Sequence, residues 1–288
     1  MQAVFTADDF GDSRAVNTAV IRAHKEGTLT AASLMAGGQA YQQAAALARE
    51  NRSLALGLHL VVLAGKAVLP PLEIPHLVDQ RGFFRSDPLQ AGIYYFFSPT
   101  ARKELEREIS AQFERFTQVG LPLSHVDGHE HMHLHPAVLP LILPLAEELQ
   151  ACGIRIPRED FRLAVRYDSS RFWQKATWTF IFRILTTWCI TQLRGRSLIW
   201  TDKVFGMMQS GCMREDYVVQ VLRHLDVATA EIYFHPSTSP ERVPLGPNMT
   251  DFATLLSPRI RAVLEERGIQ PSTYPQIRSR QVILCSSR

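Results

Sequence analysis

The chain has 288 residues, 46% hydrophobic and 20% charged, the balance of an ordinary globular protein with a sizeable core. Its formal charge of +3, from 31 basic and 28 acidic side chains, excludes bulk electrostatic binding of nucleic acid, because no tract packs Lys and Arg densely enough to neutralise many phosphates. Four cysteines (Cys152, Cys189, Cys212, Cys285) lie far apart with no CxxC pair, which argues for reduced thiols of a cytoplasmic protein and against a disulfide framework.

The opening run lacks a basic flank and ends in two aspartates, so it reads as a first strand (residues 3–7) and not as a signal peptide. A helix is expected from Asn17 to Lys25, stopped at Gly27, then a strand from Thr30 to Met35. The Ala-rich stretch Gln39 to Glu50 is helical by composition. Leu54, Leu56 and Leu58 alternate with smaller residues and deliver His59 at the far end of a strand. Residues 64–92, rich in Pro and Gly, read as a long loop above the sheet. Ser98-Pro99 opens a helix whose Leu105, Ile109, Phe113 and Phe116 share one face, with a stop near Gly120. Leu123 to His129 reads as a strand and Pro136 to Cys152 as a helix, with further strands at Ile154–Pro157 and Glu231–Phe234. No uncharged apolar stretch is long enough to span a bilayer. Such alternation over 288 residues without a repeat fits a single α/β domain built as a (β/α) barrel.

Three segments carry chemistry. Asp8-Asp9 ends the first strand, and two adjacent carboxylates repel unless something stabilises both. A metal on one, with the other left as a base, would do so; a helix-cap pair is the plainer alternative. His59 in Gly57-Leu58-His59-Leu60 is by itself as easily a hydrogen-bonded core residue. The run from His125 through Asp127, His129, His131 and His133 to His135 places five of the ten histidines within eleven residues, all at odd positions. On one extended strand these would share a face, and metal ligation is the economical reason to gather so many imidazoles. One ion cannot take them all, so one or two should ligate while the rest orient ligands, contact substrate or face solvent. Asp plus two His leaves coordination positions for water and substrate, as catalytic sites do. His235, just past a strand, is a candidate general acid or a loop residue before Pro236.

Thr6-Ala7-Asp8-Asp9-Phe10-Gly11, Gly57-Leu58-His59-Leu60, His125 through His133 and Glu231 through Pro236 together resemble the signature segments of the YdjC/ChbG-type carbohydrate deacetylases, in order and spacing. The resemblance implies a distorted (β/α) barrel of the polysaccharide-deacetylase-like type that removes N-acetyl groups from amino sugars. It implies Asp8 as base, His235 as acid, and one divalent metal ion, Mg or Zn first among the candidates, held by Asp9, His59 and His129. His125, Asp127, His131, His133 and Arg155 then take supporting or substrate-contacting roles, with Arg155 pairing Asp8. Residues 154–160 and the stretch after them resemble the hopanoid-biosynthesis-associated (HpnK-like) branch, which implies a lipid-linked amino-sugar substrate; chito-oligosaccharide is the alternative. A metallophosphoesterase with a D-x-H motif would need a downstream GDxxD, and the one Gly-Asp pair is Gly11-Asp12. A metal- or lipid-binding barrel without catalysis would not need the spare base.

Residues 172–200 hold all four tryptophans, interleaved with Phe172, Phe180, Phe182 and with Lys175, Arg183, Arg194 and Arg196. An aromatic, basic helical insert of this kind suits peripheral contact with the inner face of the cytoplasmic membrane; a barrel helix or a homodimer contact is the alternative.

Overall fold

The computed structural model describes residues 1–241 and 245–286, with side chains to residue 281, so Cys285 lies outside the described side chains. Cys152, Cys189 and Cys212 are free thiols. β1 (Gln2–Phe10) is buried along its whole length, the signature of a parallel strand covered on both faces. α1 (Arg14–Glu26) starts at Ser13, whose hydroxyl accepts from the Val16 N–H. Ser13 therefore caps this helix, and Asp8 and Asp9 lie inside β1 instead. β2 (Ala31–Leu34), α2 (Tyr41–Glu50) and β3 (Ala55–Leu60) follow in the expected order.

The segment expected to be loop, residues 64–92, ends inside a helix, α3 (Pro88–Phe97), capped by Asp87 and abutting α4 (Pro99–Thr117). α3 escaped the pattern reading because its apolar residues run around the whole helix and leave no period. The true loop before it is fastened to α4. Glu108 accepts from the Val68 and Leu69 N–H groups, Gln112 brackets both polar groups of Val61, and Glu104 accepts from the His76 N–H. These buried polar side chains stand in for the missing strand ladder.

β4 (His125–Gly128) is shorter than expected and gives way to a 3₁₀ turn, His129–Leu134, in which Glu130 and His131 adopt positive φ. The histidine run is therefore not one strand with a common face. Next come α5 (Leu139–Glu148), four residues shorter than expected at its C-terminal end, and the two-residue β5 (Gly153–Ile154). α6 (Phe161–Tyr167), α7 (Phe172–Leu193), β6 (Lys203–Phe205), α8 (Glu215–Arg223) and β7 (Thr229–Phe234) lead to α9 (Met249–Leu255), α10 (Pro258–Glu266), β8 (Gln270–Ser272) and α11 (Tyr274–Ser286).

Among the described residues every strand pairing of the sheet is parallel, in the order β5-β4-β3-β2-β1-β7-β6, with β8 laid on the first residues of β1. Ile199 forms a lone parallel bridge with Gly153 before the chain reaches β6 at the other edge. The sheet thus curls towards closure without a continuous ladder, a distorted (β/α) barrel as expected. Parallel register puts the ends of β1, β3, β4, β5 and β7 at one rim, where such folds build sites.

Close packing fixes one of the sequence motifs. A side chain at Gly57 would put Cβ 2.4 Å from His125 Cε1, and the His125 ring cannot retreat because it stacks on Tyr274 at 5.0 Å. Gly57→Ala is expected to cost about 1–3 kcal/mol through overpacking, read as a lower urea midpoint at unchanged slope. Adding His125→Ala should recover part of that loss; a neutral Gly57→Ala would show that the ring has room to move.

Candidate metal centre

Pairing between β1 and β2 breaks between Ala7 and Phe10, and within that break Asp9 takes φ 61°. Left-handed backbone costs most residues about 1–2 kcal/mol, but Asp tolerates it. The irregularity releases Asp9 from strand alternation, so two neighbouring carboxylates can serve one cluster from different directions.

Asp9 Oδ1 lies 3.4 Å from His59 Nε2 and 3.2 Å from His129 Nδ1. Two ligand atoms about 2.1 Å from a shared ion at tetrahedral or octahedral angles stand about 3.0–3.4 Å apart. His59 Nε2 is buried without a hydrogen-bond partner among the described residues. The donor atoms of Asp9, His59 and His129 all lie within 4.8 Å of one another. The surrounding charge points the same way: Asp8, Asp127 and Glu231 are buried around the guanidinium of Arg155, and Asp9 is buried beside them against His59 and His129. A cluster so rich in anions needs cations, supplied by protons on histidines or by a divalent ion. These residues fit a divalent metal, and their nitrogen–oxygen set suits several.

The supporting groups are equally specific. Asp127 Oδ1 meets His59 Nδ1 at 2.8 Å, which orients the ring and turns Nε2 towards Asp9. The other Asp127 oxygen accepts from Ser33 Oγ at 2.7 Å and forms an ion pair with Arg155, its Nη2 2.7 Å away. Arg155, fully buried just past β5, also binds Asp8 through two parallel bonds of 2.7 and 2.8 Å. Glu231 takes the remaining guanidinium contacts and is itself held by Thr6 Oγ1 and Tyr274 Oη, each at 2.7 Å. Asp8 is thus not a free carboxylate beside a metal-bound neighbour. A pinned guanidinium offsets the repulsion between the pair by holding Asp8, while the two histidines hold Asp9.

The remaining histidines diverge. His125 meets Ser33 Oγ at 3.1 Å, His131 meets Tyr233 Oη at 3.1 Å, and His133 meets the Arg155 carbonyl at 2.9 Å. Burial keeps all three below the usual imidazole range, His133 at about 4, so they are neutral near pH 7. Positive φ at Glu130 and His131 reverses the chain there and sends His129, His131 and His133 to separate partners. Only His129 of the run reaches Asp9. Asp127 and His129 face different partners, which also removes the D-x-H phosphoesterase alternative. His235 sits just past β7 with Nε2 4.0 Å from Asp8 Oδ2 and Nδ1 unpartnered among the described residues. Ser33 and Tyr274 were not foreseen: each is an ordinary residue in an ordinary element, delivered by topology alone.

Protons and metal compete at His59. Burial lowers its pKa, but Asp127, Asp8 and Asp9 outweigh this and push it up to about 9 in the metal-free protein. A raised pKa contributes stability present below the unfolded value near 6.5 and lost as pH rises through about 9. The metal-free protein should therefore become less stable across that window. A ligating His59 must be neutral, so apparent metal affinity should rise over the same window, close to tenfold per pH unit, with proton release. Calorimetry in buffers of different ionisation enthalpy measures that release; pH-independent affinity between 6.5 and 9 would remove His59 from the ligand set.

The family described as YdjC-like protein matches residues 2–266. A carbohydrate deacetylase of Brevibacillus brevis is 31% identical over 287 residues, covering 96% of this chain and 100% of its own length. A second, from Geobacillus stearothermophilus, is 29% identical and covers 94% of this chain and 96% of its own. Among solved structures, an Enterococcus faecalis protein described as a cellobiose-phosphate cleavage protein superposes with a TM-score of 0.70 at 23% identity, over 96% of this chain and 98% of that one. That likeness supports the fold. The chain belongs to the YdjC-like family.

Proposed function

We propose that this chain is a divalent-metal-dependent N-deacetylase that removes acetyl from an N-acetylglucosamine-type amino sugar carried on a lipid, in its finer form a glycosylated hopanoid. The observation that carries the reaction class is a spare acid–base pair beside a three-ligand cluster: Asp8 and His235 stand 4.0 Å apart next to Asp9, His59 and His129. Metal binding alone needs neither. The relatives' shared name, carbohydrate deacetylase, supports an amide hydrolase. In this reading residues 1–288 act as one domain with the helices near 170–200 as an insert, working at the inner face of the cytoplasmic membrane.

A bound divalent cation, Mg or Zn in the first instance, would supply Lewis-acid polarisation of the acetamide carbonyl and a more acidic water. The protein's own groups do the rest. Arg155 fixes both Asp8 oxygens yet leaves each a further lone pair, so Asp8 can take the proton of the attacking water. His235 donates through Nε2 to the departing amine as the C–N bond breaks, giving acetate and the free amino sugar. The proton on Asp8 then passes to His235, which faces it, and resets both groups. Asp127 keeps His59 oriented, and His133, by bonding the Arg155 carbonyl, supports the residue that positions the base.

Mass spectrometry after incubation with an N-acetylglucosaminyl hopanoid and with chito-oligosaccharide, each with and without chelator, tests the proposal. Loss of one acetyl from the lipid, abolished by chelator, is the expected result. Loss from the free oligosaccharide alone would move the substrate to that class, and turnover undiminished by chelator would end the metal mechanism.

A further inference from the structure

Two helices that pack on the ligand-bearing turn leave large apolar side chains in solvent. α7 is anchored by one stripe that includes Phe182 and Cys189. The Phe182 ring stands 5.6 Å from His131, and the Cys189 thiol reaches the Leu134 carbonyl at 3.6 Å. Away from that stripe, Trp173 is 81% exposed, Phe180 66% and Ile184 59%. α3 meets the residue that ends this turn through Tyr95, whose ring lies 6.5 Å from His135, and leaves Leu89 71% and Phe97 73% exposed. Scattered exposed apolar residues are normal, but two such helices on one support are not scatter. The turn that both approach carries His129, whose side chain is 24% exposed, the most open of the three proposed ligands.

Charge chooses the occupant. α3 holds no charged residue, while residues 161–200 hold seven Lys and Arg against Asp168 alone. Lys175 is buried on Asp168 and Arg196 pairs with Glu147, and Arg162, Arg166, Arg171, Arg183 and Arg194 remain exposed without an ion pair among the described residues. We infer that α3 and α7 together form a docking surface for an anionic lipid bilayer, bringing the rim of the metal centre to the headgroups. A second copy of the chain would set this cationic surplus against itself across a two-fold contact. An anionic bilayer supplies the opposite charge, accepts Trp and Phe at its interface, and lets Arg stems lie along the apolar layer. No helix among the described residues is long and apolar enough to cross a membrane, so the contact lies on the surface. The surface bears on the deacetylase reading in one respect: resting on that reading, it would present a lipid-held sugar to the site.

Co-sedimentation of the full chain with phosphatidylcholine vesicles, with and without phosphatidylglycerol, tests the surface. Binding is expected to the anionic vesicles and to weaken with salt. Two variants, Trp173→Ser with Phe180→Ser and separately Leu89→Ser with Phe97→Ser, should each lower partitioning by about tenfold or more. Circular dichroism and acetate release from a soluble amino-sugar substrate should be unchanged in both, which separates loss of docking from loss of fold. Absence of wild-type binding, or binding retained in both variants, overturns the inference. Loss in the α7 variant alone overturns the two-helix assignment, and dissociation of a dimer with vesicle binding unchanged assigns the face to a second copy. Vesicle binding without any acetate release would instead sink the deacetylase reading and leave the surface standing.

Discussion

Arg155→Met is expected to lower the free energy of unfolding by on the order of 3–5 kcal/mol, because it removes one partner from a buried charge network and strands the others. Arg155 has no exposed surface, donates to Asp8 and Glu231 and ion-pairs with Asp127, so its loss leaves three buried carboxylates without their shared cation. Met fills much of the volume, so the effect measured is charge and hydrogen bonding more than cavity. Arg155→Lys should recover only part of it, since an ammonium cannot reproduce the forked pair of bonds to Asp8. Urea unfolding of the metal-free protein is the measurement. A loss below about 1 kcal/mol, the level of an exposed pair, would mean that the carboxylates share protons and do not depend on the guanidinium.

Asp8→Asn should behave in the opposite way: little change in fold, a large change in turnover. Arg155 keeps Asp127 and Glu231 as anionic partners, and the Asn oxygen can still accept one of its bonds. What disappears is the proposed base, an effect of about 10²–10⁴-fold on kcat for a general base. Bound metal, measured after dialysis, should be retained. His129→Ala should lose both metal and activity, because it removes a proposed ligand. An Asp8→Asn protein with near-normal kcat would reassign the base, with His235 as the nearest alternative.

The parts of this molecule that were legible in sequence are those that leave a local pattern. Strands buried on both faces read as short apolar runs between helices, so the α/β order was visible even where bounds were off by a few residues. The histidine run misled because alternation at period two is also what a turn can carry; nothing local announced the positive φ of Glu130 and His131. Asp9, His59 and His129 were named through the motif resemblance, and their proximity is now geometric. Glu231 did leave a signal, since a carboxylate inside Glu231-Ile232-Tyr233-Phe234 is out of place in a buried strand unless something receives it. Ser33 and Tyr274 left none. Their contacts with Asp127 and Glu231 cross long sequence separations, which is information held by topology and not by any window of residues.

Tyr274 has a further consequence, for synthesis. It stacks on His125 and hydrogen-bonds Glu231, and β8 beside it pairs with the first residues of β1. A chain emerging from the ribosome N-terminus first therefore holds Asp8, Asp127 and Glu231 together, with one support of Glu231 still inside the exit tunnel. The second support of Glu231 arrives only once residue 274 has left the tunnel. A nascent chain arrested before that residue should expose the incompletely supported cluster to proteases and chaperones, which makes docking of α11 the step that closes the assembly of the centre.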